Sequence, residues 1–225
     1  MAVRYNTFIP TSNLQLLLDA ANIRSYSGSG TTWFDISGKG KNFTWNSTPA
    51  YTAAGPASYF TTTGKACSGP ASNSFGINNG TGYTVIMFSK TLIDEANAAF
   101  QWWGDGYDNR GFFLHPGWSN NMMYFDQGGC CDANQRLAVG YTNNETKSWS
   151  VWAFRSRLYD RSQFCNGVRT GHDTTYAANI NLNSGAAYVC GGSWTAQLNF
   201  FALFNTGLDD NTIFDISKAL RSRFE

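Results

Sequence analysis

The sequence has few charged residues and no long apolar run. Lysine and arginine number 16, aspartate and glutamate number 15, and charged residues make up only 14% of 225 residues, for a net charge of +1. Binding to nucleic acid or to an anionic membrane surface needs a basic face, which this balance does not supply. No stretch approaches the about 18 apolar residues of a transmembrane helix, and residues 1–13 lack a signal peptide's apolar core. We expect no nucleic-acid partner and no membrane insertion.

The common catalytic motifs are also missing. A glycosidase needs two carboxyl groups close together, but no two glutamates share a predicted strand in a chain with only Glu95, Glu145 and Glu225. No aspartate pair has i, i+2 spacing inside an apolar run, and Gly-x-Ser-x-Gly and His-Glu-x-x-His are absent. His115, before a proline, and His172 are predicted as ordinary loop histidines. The sequence predicts a protein that is not an enzyme and has no catalytic residues.

The cysteines number five, an odd count that argues weakly against a disulfide framework: Cys67, Cys130, Cys131, Cys165 and Cys190. The favoured interpretation is buried thiols that pack as small apolar side chains. One or two bridges formed after release from the cell are an alternative. A zinc site is disfavoured, because no Cys-x-x-Cys is present and neither histidine has ligand spacing.

Aromatic residues (16%) and 23 glycines dominate what is present. Short apolar runs separated by Gly, Asn, Ser and Asp are typical of a β-sandwich or barrel. We predict strands at 14–18, 33–36, 43–45, 83–89, 100–103, 111–114, 122–125, 137–141, 149–158 and 198–204. Asn166-Gly167 between two short runs predicts a tight hairpin, because a type I′ turn needs positive φ at both central residues. Residues 47–82 are expected to form long loops, with one strand at 58–62.

One helix is predicted, at 209–223. Asp209 and Asp210 supply a cap and an acidic first turn, cations occupy the last turns, and the apolar residues share one stripe: Ile213, Ile216, Leu220 and Phe224. No composition break interrupts the chain. We therefore expect a single domain over 1–225.

Three segments, in order, resemble the LamG-like branch of the concanavalin A-like lectin/glucanase superfamily. They are Leu14–Asn22 with the following Ser25–Gly38, then Trp149–Gly167, then Gly191–Leu208. The resemblance implies an all-β jelly roll of two packed antiparallel sheets, here with a short C-terminal helix. Family members include sugar-binding modules, adhesion modules and some glycosidases. Versions similar to the first segment occur in virion proteins of phages and large DNA viruses and in bacterial surface proteins.

One region has the composition of a carbohydrate site, which pairs aromatic platforms with nearby polar side chains. Its candidate glycan-binding residues are Trp103, Asp105, Tyr107, Asp108, Asn109 and Trp118. The alternative is that the tryptophans belong to the core and the polar residues form ordinary turns. The same loop, 104–109, offers oxygen ligands for Ca²⁺, with Asp126 or Asp132 as additional ligands. Turn formation is favoured there too, so no metal ligands are assigned.

We expect a non-enzymatic virion structural protein, namely a minor capsid, decoration or cement protein, with a lectin-like jelly roll that can also display a glycan-binding face. A chain of this size with its own initiator methionine and no signal is expected to be made in the host cytoplasm and to reside in the virion. The expected partners are other virion proteins, such as the major capsid protein, and cell-surface glycans, with self-association left open. The alternative is a stand-alone carbohydrate-binding or adhesion module at the cell surface or outside the cell, and a glycoside hydrolase is a less favoured alternative.

Overall fold

The computed structural model describes residues 9–78, 82–94, 100–102, 111–129, 132, 134–174, 179–180, 182–191 and 194–224. Within these residues the chain forms two antiparallel β-sheets and a C-terminal helix. Among the described helices, none is long and apolar enough to cross a bilayer.

The first sheet has eight strands in the order β14-β13-β12-β7-β16-β5-β4, and β1 pairs with β16 beside β5. Its central strands, β7 and β16, are apolar on both faces because each face is covered, one by the second sheet and one by the helix. The strand bounds are β1 (Leu14–Asp19), β4 (Ala50–Thr52), β5 (Tyr59–Thr61), β7 (Tyr83–Thr91), β12 (Ser150–Arg157), β13 (Asp160–Cys165), β14 (Val168–Asp173) and β16 (Ala196–Phe204).

The second sheet also has eight strands, in the order β11-β10-β9-β8-β15-β6-β3-β2. Its strand bounds are β2 (Thr32–Trp33), β3 (Phe43–Trp45), β6 (Cys67–Ala71), β8 (Phe100–Trp102), β9 (Phe112–His115), β10 (Met122–Gln127), β11 (Arg136–Gly140) and β15 (Ala186–Cys190). A single turn of helix, α1 (Asn143–Thr146), follows β11. Strand β11 forms one edge of the sheet.

The main core lies between the two sheets. Side chains from both sheets form one buried cluster, with Trp152 and Phe154 entering from β12 and Phe125 from β10. The stacked indoles of Trp33 and Trp45 both pack against Phe60 of the opposite sheet, with centroids 4.8 and 4.9 Å away. This arrangement confirms the predicted two-sheet antiparallel jelly roll with a C-terminal helix.

Helix α2 (Asp210–Arg221) covers the outer face of the first sheet. Asp209 caps it by accepting a hydrogen bond from the Thr212 amide at 2.8 Å. Its buried stripe packs on the outward-facing side chains of β12 and β13, in a second apolar cluster that includes Ile213, Ile216, Leu220, Val151, Ala153 and Phe164. The predicted helix is confirmed, although it is shorter than 209–223 at both ends.

The Asn166-Gly167 hairpin is confirmed. The two residues have φ of 52° and 85°, as a turn with two positive φ values requires. A Cβ on Gly167 would lie 2.9 Å from the Phe214 Cα, so this turn also needs glycine to let the helix approach.

The prediction for residues 47–82 was wrong in part. A strand at Tyr59–Thr61 is present, but β4 and β6 also form in a stretch that was expected to be loop. Sheet pairing explains this, because β6 pairs with both β3 and β15 although its sequence, CSGPA, has little strand propensity. Strand β2 is likewise shorter than predicted, ending at Trp33.

The described cysteines are buried free thiols, as favoured from the sequence. Cys67, Cys165 and Cys190 form no bridge. Burial raises the pKa of each, well above the usual value for Cys67 and to about 12 for Cys165 and for Cys190. Cys130 and Cys131 lie outside the described residues. The single-domain prediction stays a prediction.

Candidate functional site

Most of the predicted glycan-binding residues lie outside the described part of the chain. These are Trp103, Asp105, Tyr107, Asp108 and Asn109. The sixth, Trp118, is described and partly exposed, in the loop between β9 and β10. Trp118 is therefore the predicted site residue whose surroundings the structure describes.

The Trp118 loop is held by main-chain and side-chain hydrogen bonds. The Trp118 amide donates to the Met122 carbonyl at 2.9 Å, and the Asn121 amide donates back to the Trp118 carbonyl at 3.0 Å. Asn121 adopts a φ of 60°, a left-handed conformation that asparagine tolerates. The Tyr141 hydroxyl also donates to the Trp118 carbonyl, at 2.8 Å. This tight turn fixes where the indole stands.

Trp118 stands on the outer face of the second sheet, against two other rings. In β10, Met123 and Phe125 point into the core, so Tyr124 points outward. Register pairs Tyr124 with His115 of β9. The Trp118 ring meets His115 at 4.8 Å and Tyr124 at 5.6 Å between centroids, both nearly perpendicular. An edge-to-face geometry of this kind is favoured between aromatic rings.

A buried ion pair lies beside these rings. Asp126 is fully buried, and both of its oxygens accept hydrogen bonds from Arg136 of β11, at 2.5 and 2.6 Å. The Arg136 guanidinium also covers the Tyr124 ring, 4.2 Å from its centroid. Burial acts to raise the pKa of Asp126, but Arg136 and the nearby His115 outweigh it and lower the pKa below its usual value. We call His115, Trp118, Tyr124, Asp126 and Arg136 the Trp118 cluster.

His115 was predicted as an ordinary loop histidine, and this was wrong. It is the last residue of β9 and only 6% exposed. Its position before a proline favours extended backbone, which allows the strand to continue to this residue. Its Nε2 lies 3.4 Å from an Asp126 oxygen without hydrogen-bond alignment, and within the described residues Nδ1 has no hydrogen-bond partner. The buried His115 ring thus supports the Trp118 ring by packing against it.

His172 was also predicted in a loop, but it lies in β14, where β13 pairs with it. Its side chain stays partly exposed and its Nε2 lies 3.4 Å from Asp160. It is far along the chain from the Trp118 cluster and belongs to the first sheet.

The Trp118 cluster offers two kinds of contact to a ligand. Trp118 and Tyr124 are partly exposed aromatic surfaces. The exposed Asn120 side chain adds an amide, which donates to the Tyr124 hydroxyl at 2.7 Å. Apolar surfaces with a few placed polar groups are the usual composition of a small-molecule site. Sequence reasoning found Trp118, and it considered Asp126 only as a calcium ligand. It missed Tyr124, for which the i, i+2 alternation of MMYFDQ was the available signal, and Arg136, which lies in β11.

Asp126 does not fit the calcium role considered from the sequence. Both of its oxygens already accept hydrogen bonds from Arg136, which leaves no carboxylate free for a cation. Asp132 is exposed. Across the described ranges, no group of three or more His, Cys, Asp or Glu side chains is placed to hold a metal ion. The 104–109 loop lies outside those ranges.

Two other carboxylates are bridged by one arginine of the first sheet. Asp160 of β13 and Asp210 of α2 contact the same guanidinium, that of Arg155, at 2.8 and 2.5 Å. For both, burial acts to raise the pKa, but each pKa is lowered. A hydrogen bond from Ser162 and the charge of Arg155 outweigh burial at Asp160, and hydrogen bonds from Arg155 and Arg169 outweigh it at Asp210. A glycosidase general acid needs a raised pKa. The lowered pKa values of Asp160 and Asp210 are instead typical of carboxylates in structural ion pairs.

No protein-family profile and no curated protein matches the chain. Solved structures match its fold. Trypanosoma rangeli sialidase superposes with a TM-score of 0.64 and 12% identity, over 93% of this chain and 33% of the sialidase. Domain 4 of AbnA, an extracellular GH43 arabinanase of Geobacillus stearothermophilus solved with arabinotriose, gives 0.64 and 16%, over 91% and 98%. The binding domain of botulinum neurotoxin DC, in complex with SialylT, gives 0.67 and 12%, over 93% and 52%.

These neighbours share the two-sheet fold with this chain, and at such identities the likeness establishes the fold alone. The chain spans about a third of the sialidase and about half of the toxin binding domain. It matches AbnA domain 4 over nearly the whole length of that domain.

Proposed function

We propose that this chain is a non-enzymatic carbohydrate-binding module whose site is the Trp118 cluster. The observation that carries the proposal is the pair of partly exposed aromatic rings, Trp118 and Tyr124, held on the outer face of the second sheet. A tight loop fixes the first ring, and a buried ion pair supports the second. A rigid aromatic surface binds a sugar with little loss of conformational freedom.

The structural neighbours support this proposal. One of them, AbnA domain 4, was solved with arabinotriose, and another, the toxin binding domain, with SialylT. Membership of the LamG-like branch, expected from the three sequence segments, is part of the proposal.

The direct test is a glycan array followed by isothermal titration calorimetry with the best ligand. Trp118→Ala is expected to weaken binding about fivefold, because an aromatic contact contributes on the order of 1 kcal/mol and 1.4 kcal/mol is tenfold. Phe34→Ala is the matched control, since Phe34 is a partly exposed aromatic residue outside the cluster. Equal affinity of both variants and the wild type would show that the Trp118 cluster is not the site.

Residues 103–109 remain a proposed second part of the site. Trp103→Ala and the pair Asp105→Asn and Asp108→Asn are expected to weaken glycan binding while leaving the melting temperature unchanged. If these substitutions unfold the protein instead, the substituted residues are structural.

Calcium binding by residues 104–109 is tested by titrating Ca²⁺ into the metal-free protein, with Asp108→Asn as the variant that should weaken it.

A virion structural role is a second candidate. The observation that favours it is the number of large apolar side chains on the described surface, including Ile23 at 78% and Val168 at 63% exposure. Exposed apolar side chains of this size suit contact with neighbouring proteins. Light scattering after size exclusion tests it: a monomer that gains mass only with capsid proteins supports the role. A chain that ignores them contradicts it and leaves the carbohydrate-binding proposal standing.

A further inference from the structure

A strip of small residues lies next to the Trp118 cluster on the same face of the second sheet. It consists of Ala138 and Gly140 of edge strand β11, which are both exposed and on the outward face. Register places Ala138 opposite Tyr124 and Gly140 opposite Met122, so the small residues of β11 leave Met122 uncovered on that side, whereas the Arg136 guanidinium covers one face of the Tyr124 ring. Tyr124 and Met122 therefore form one wall of a shallow groove whose floor is β11.

The backbone does not require glycine at the floor of this groove. Gly140 has no positive φ, and a Cβ built on it would meet only the Met122 sulfur, at 3.9 Å. The space above Gly140 is open, and the absence of a side chain is what keeps it open. This observation is independent of the aromatic rings that define the cluster.

The groove is longer than a single sugar ring. Two cross-strand pairs on the same face follow one another at a two-residue step, Met122–Gly140 and Tyr124–Ala138. At about 3.3 Å per residue they span roughly 7 Å, and the Trp118 loop extends the surface beyond Met122, through the bond between the Trp118 amide and the Met122 carbonyl. The Arg136 guanidinium over the Tyr124 ring closes the other end.

The electrostatics of the groove favour an uncharged ligand. The Arg136 charge is balanced by Asp126, and two of its nitrogens, Nε and Nη2, already donate to that carboxylate. An anionic sugar would have to compete with this buried, bidentate ion pair, which is among the stronger side-chain interactions. The hydroxyl groups of a neutral sugar, in contrast, can each form a single hydrogen bond without displacing Asp126 from Arg136.

Resting on the proposed carbohydrate-binding function, we infer that the ligand is a neutral, linear oligosaccharide that lies along β10 and β11. Its sugar rings pack in succession against Trp118, Tyr124 and the floor of Ala138 and Gly140. The site then binds the interior of a glycan chain rather than one terminal sugar.

The test is calorimetric titration with neutral series of increasing length, arabinose to arabinotetraose and glucose to cellotetraose, together with sialyllactose. For the series that binds, affinity is expected to rise at least tenfold from one unit to three and to exceed the affinity for sialyllactose. Affinity that is independent of length, or a preference for sialyllactose, overturns the inference and leaves the carbohydrate-binding function intact. Absence of binding here and on a glycan array overturns both.

A variant that fills the groove sharpens the test. Gly140→Trp is expected to abolish the gain with chain length, because its side chain occupies the open space over β11. Thr44→Trp is the matched control, at an exposed outward position of β3 on the same sheet. Circular dichroism checks the fold of each variant, and Ala138→Gln replaces Gly140→Trp if the latter unfolds. An undiminished length dependence in a folded groove variant would contradict the inference.

Discussion

At the scale of single residues, Tyr141 determines how firmly the Trp118 ring is presented. Its hydroxyl donates to the Trp118 carbonyl and its amide donates to the Asn121 carbonyl at 3.2 Å, so one residue bonds the loop twice. Partial burial and the nearby charge of Asp94 raise its pKa above the usual value. The phenol therefore stays protonated, and remains a donor, throughout the physiological pH range.

Removing this hydroxyl should weaken the proposed glycan binding without unfolding the protein. Tyr141→Phe is expected to lower affinity about two- to tenfold, the equivalent of one hydrogen bond of about 0.5–1.5 kcal/mol. Calorimetric titration of the best array ligand measures it. Tyr51→Phe is the control, because it removes a similar bond, to the Ala20 carbonyl at 3.0 Å, away from the site. Equal losses in both variants would show that Tyr141 has no positioning role.

At the scale of elements, arginines attach both ends of helix α2 to the first sheet. Near its start, Arg155 donates to the Leu208 carbonyl and to Asp210, at 3.0 and 2.5 Å. Just beyond its end, Arg223 forms a bidentate pair with Asp19 of β1, at 2.9 and 2.8 Å. Buried ion pairs are costly to break because one charge is left without its partner. The few charges in this sequence are used in part for this attachment.

The Arg155 contact should therefore contribute far more to stability than its exposed neighbour. Arg155 is 1% exposed, and Arg155→Ala is expected to lower the free energy of unfolding by about 2 kcal/mol, because the Leu208 carbonyl and Asp160 each lose a charged donor. Arg169→Ala removes another partner of the same Asp210 carboxylate, but at an exposed pair, and should cost about 1 kcal/mol or less. Urea unfolding of the two variants measures the difference. Equal losses of unfolding free energy in the two variants would mean that burial does not determine how much each arginine contributes to stability.

At the scale of the whole molecule, paired carboxylates make stability dependent on acid pH. The pKa is lowered for Asp126 and Asp210, where ion pairs with arginine outweigh burial, and for Asp160, where a hydrogen bond from Ser162 and the charge of Arg155 do so. It is also lowered for Asp209, where hydrogen bonds from Thr212 are the main cause. A lowered folded-state pKa means that the unfolded chain binds more protons. The stabilisation is complete about one pH unit or more above the unfolded-state pKa of about 3.9, and it is lost as pH falls from there through the lowered folded-state pKa.

We therefore expect the free energy of unfolding to decrease progressively as pH falls below about 5. Urea unfolding at pH 7, 4 and 3 measures it. Asp126→Asn should be less stable at pH 7 and should show a smaller decrease toward pH 3, because its carboxylate no longer titrates. Stability that rises on acidification would contradict the assignment of these ion pairs.

Much of the fold was predictable because local patterns agree with it. Buried runs such as Tyr83–Thr91 and Ala196–Phe204, the Asn166-Gly167 turn and the helix capped by Asp209 each have a local cause in side-chain burial, turn geometry or capping. The strand at Cys67–Ala71 was missed because its conformation depends on pairing with β3 and β15, which are distant or weakly marked in sequence. Short strands made of small residues have little local signal of their own.

An all-β fold, the terminal helix, the buried thiols and Trp118 as a candidate site residue could all be predicted from the sequence. Each of these follows from local composition and periodicity, which act through a few neighbouring residues. Which side chains surround Trp118 depends instead on tertiary structure. His115, Tyr124 and Arg136 come from three strands, and the pairing of β9, β10 and β11 brings them onto one face. Register between strands depends on the packing of the whole sandwich, so no local pattern encodes that juxtaposition.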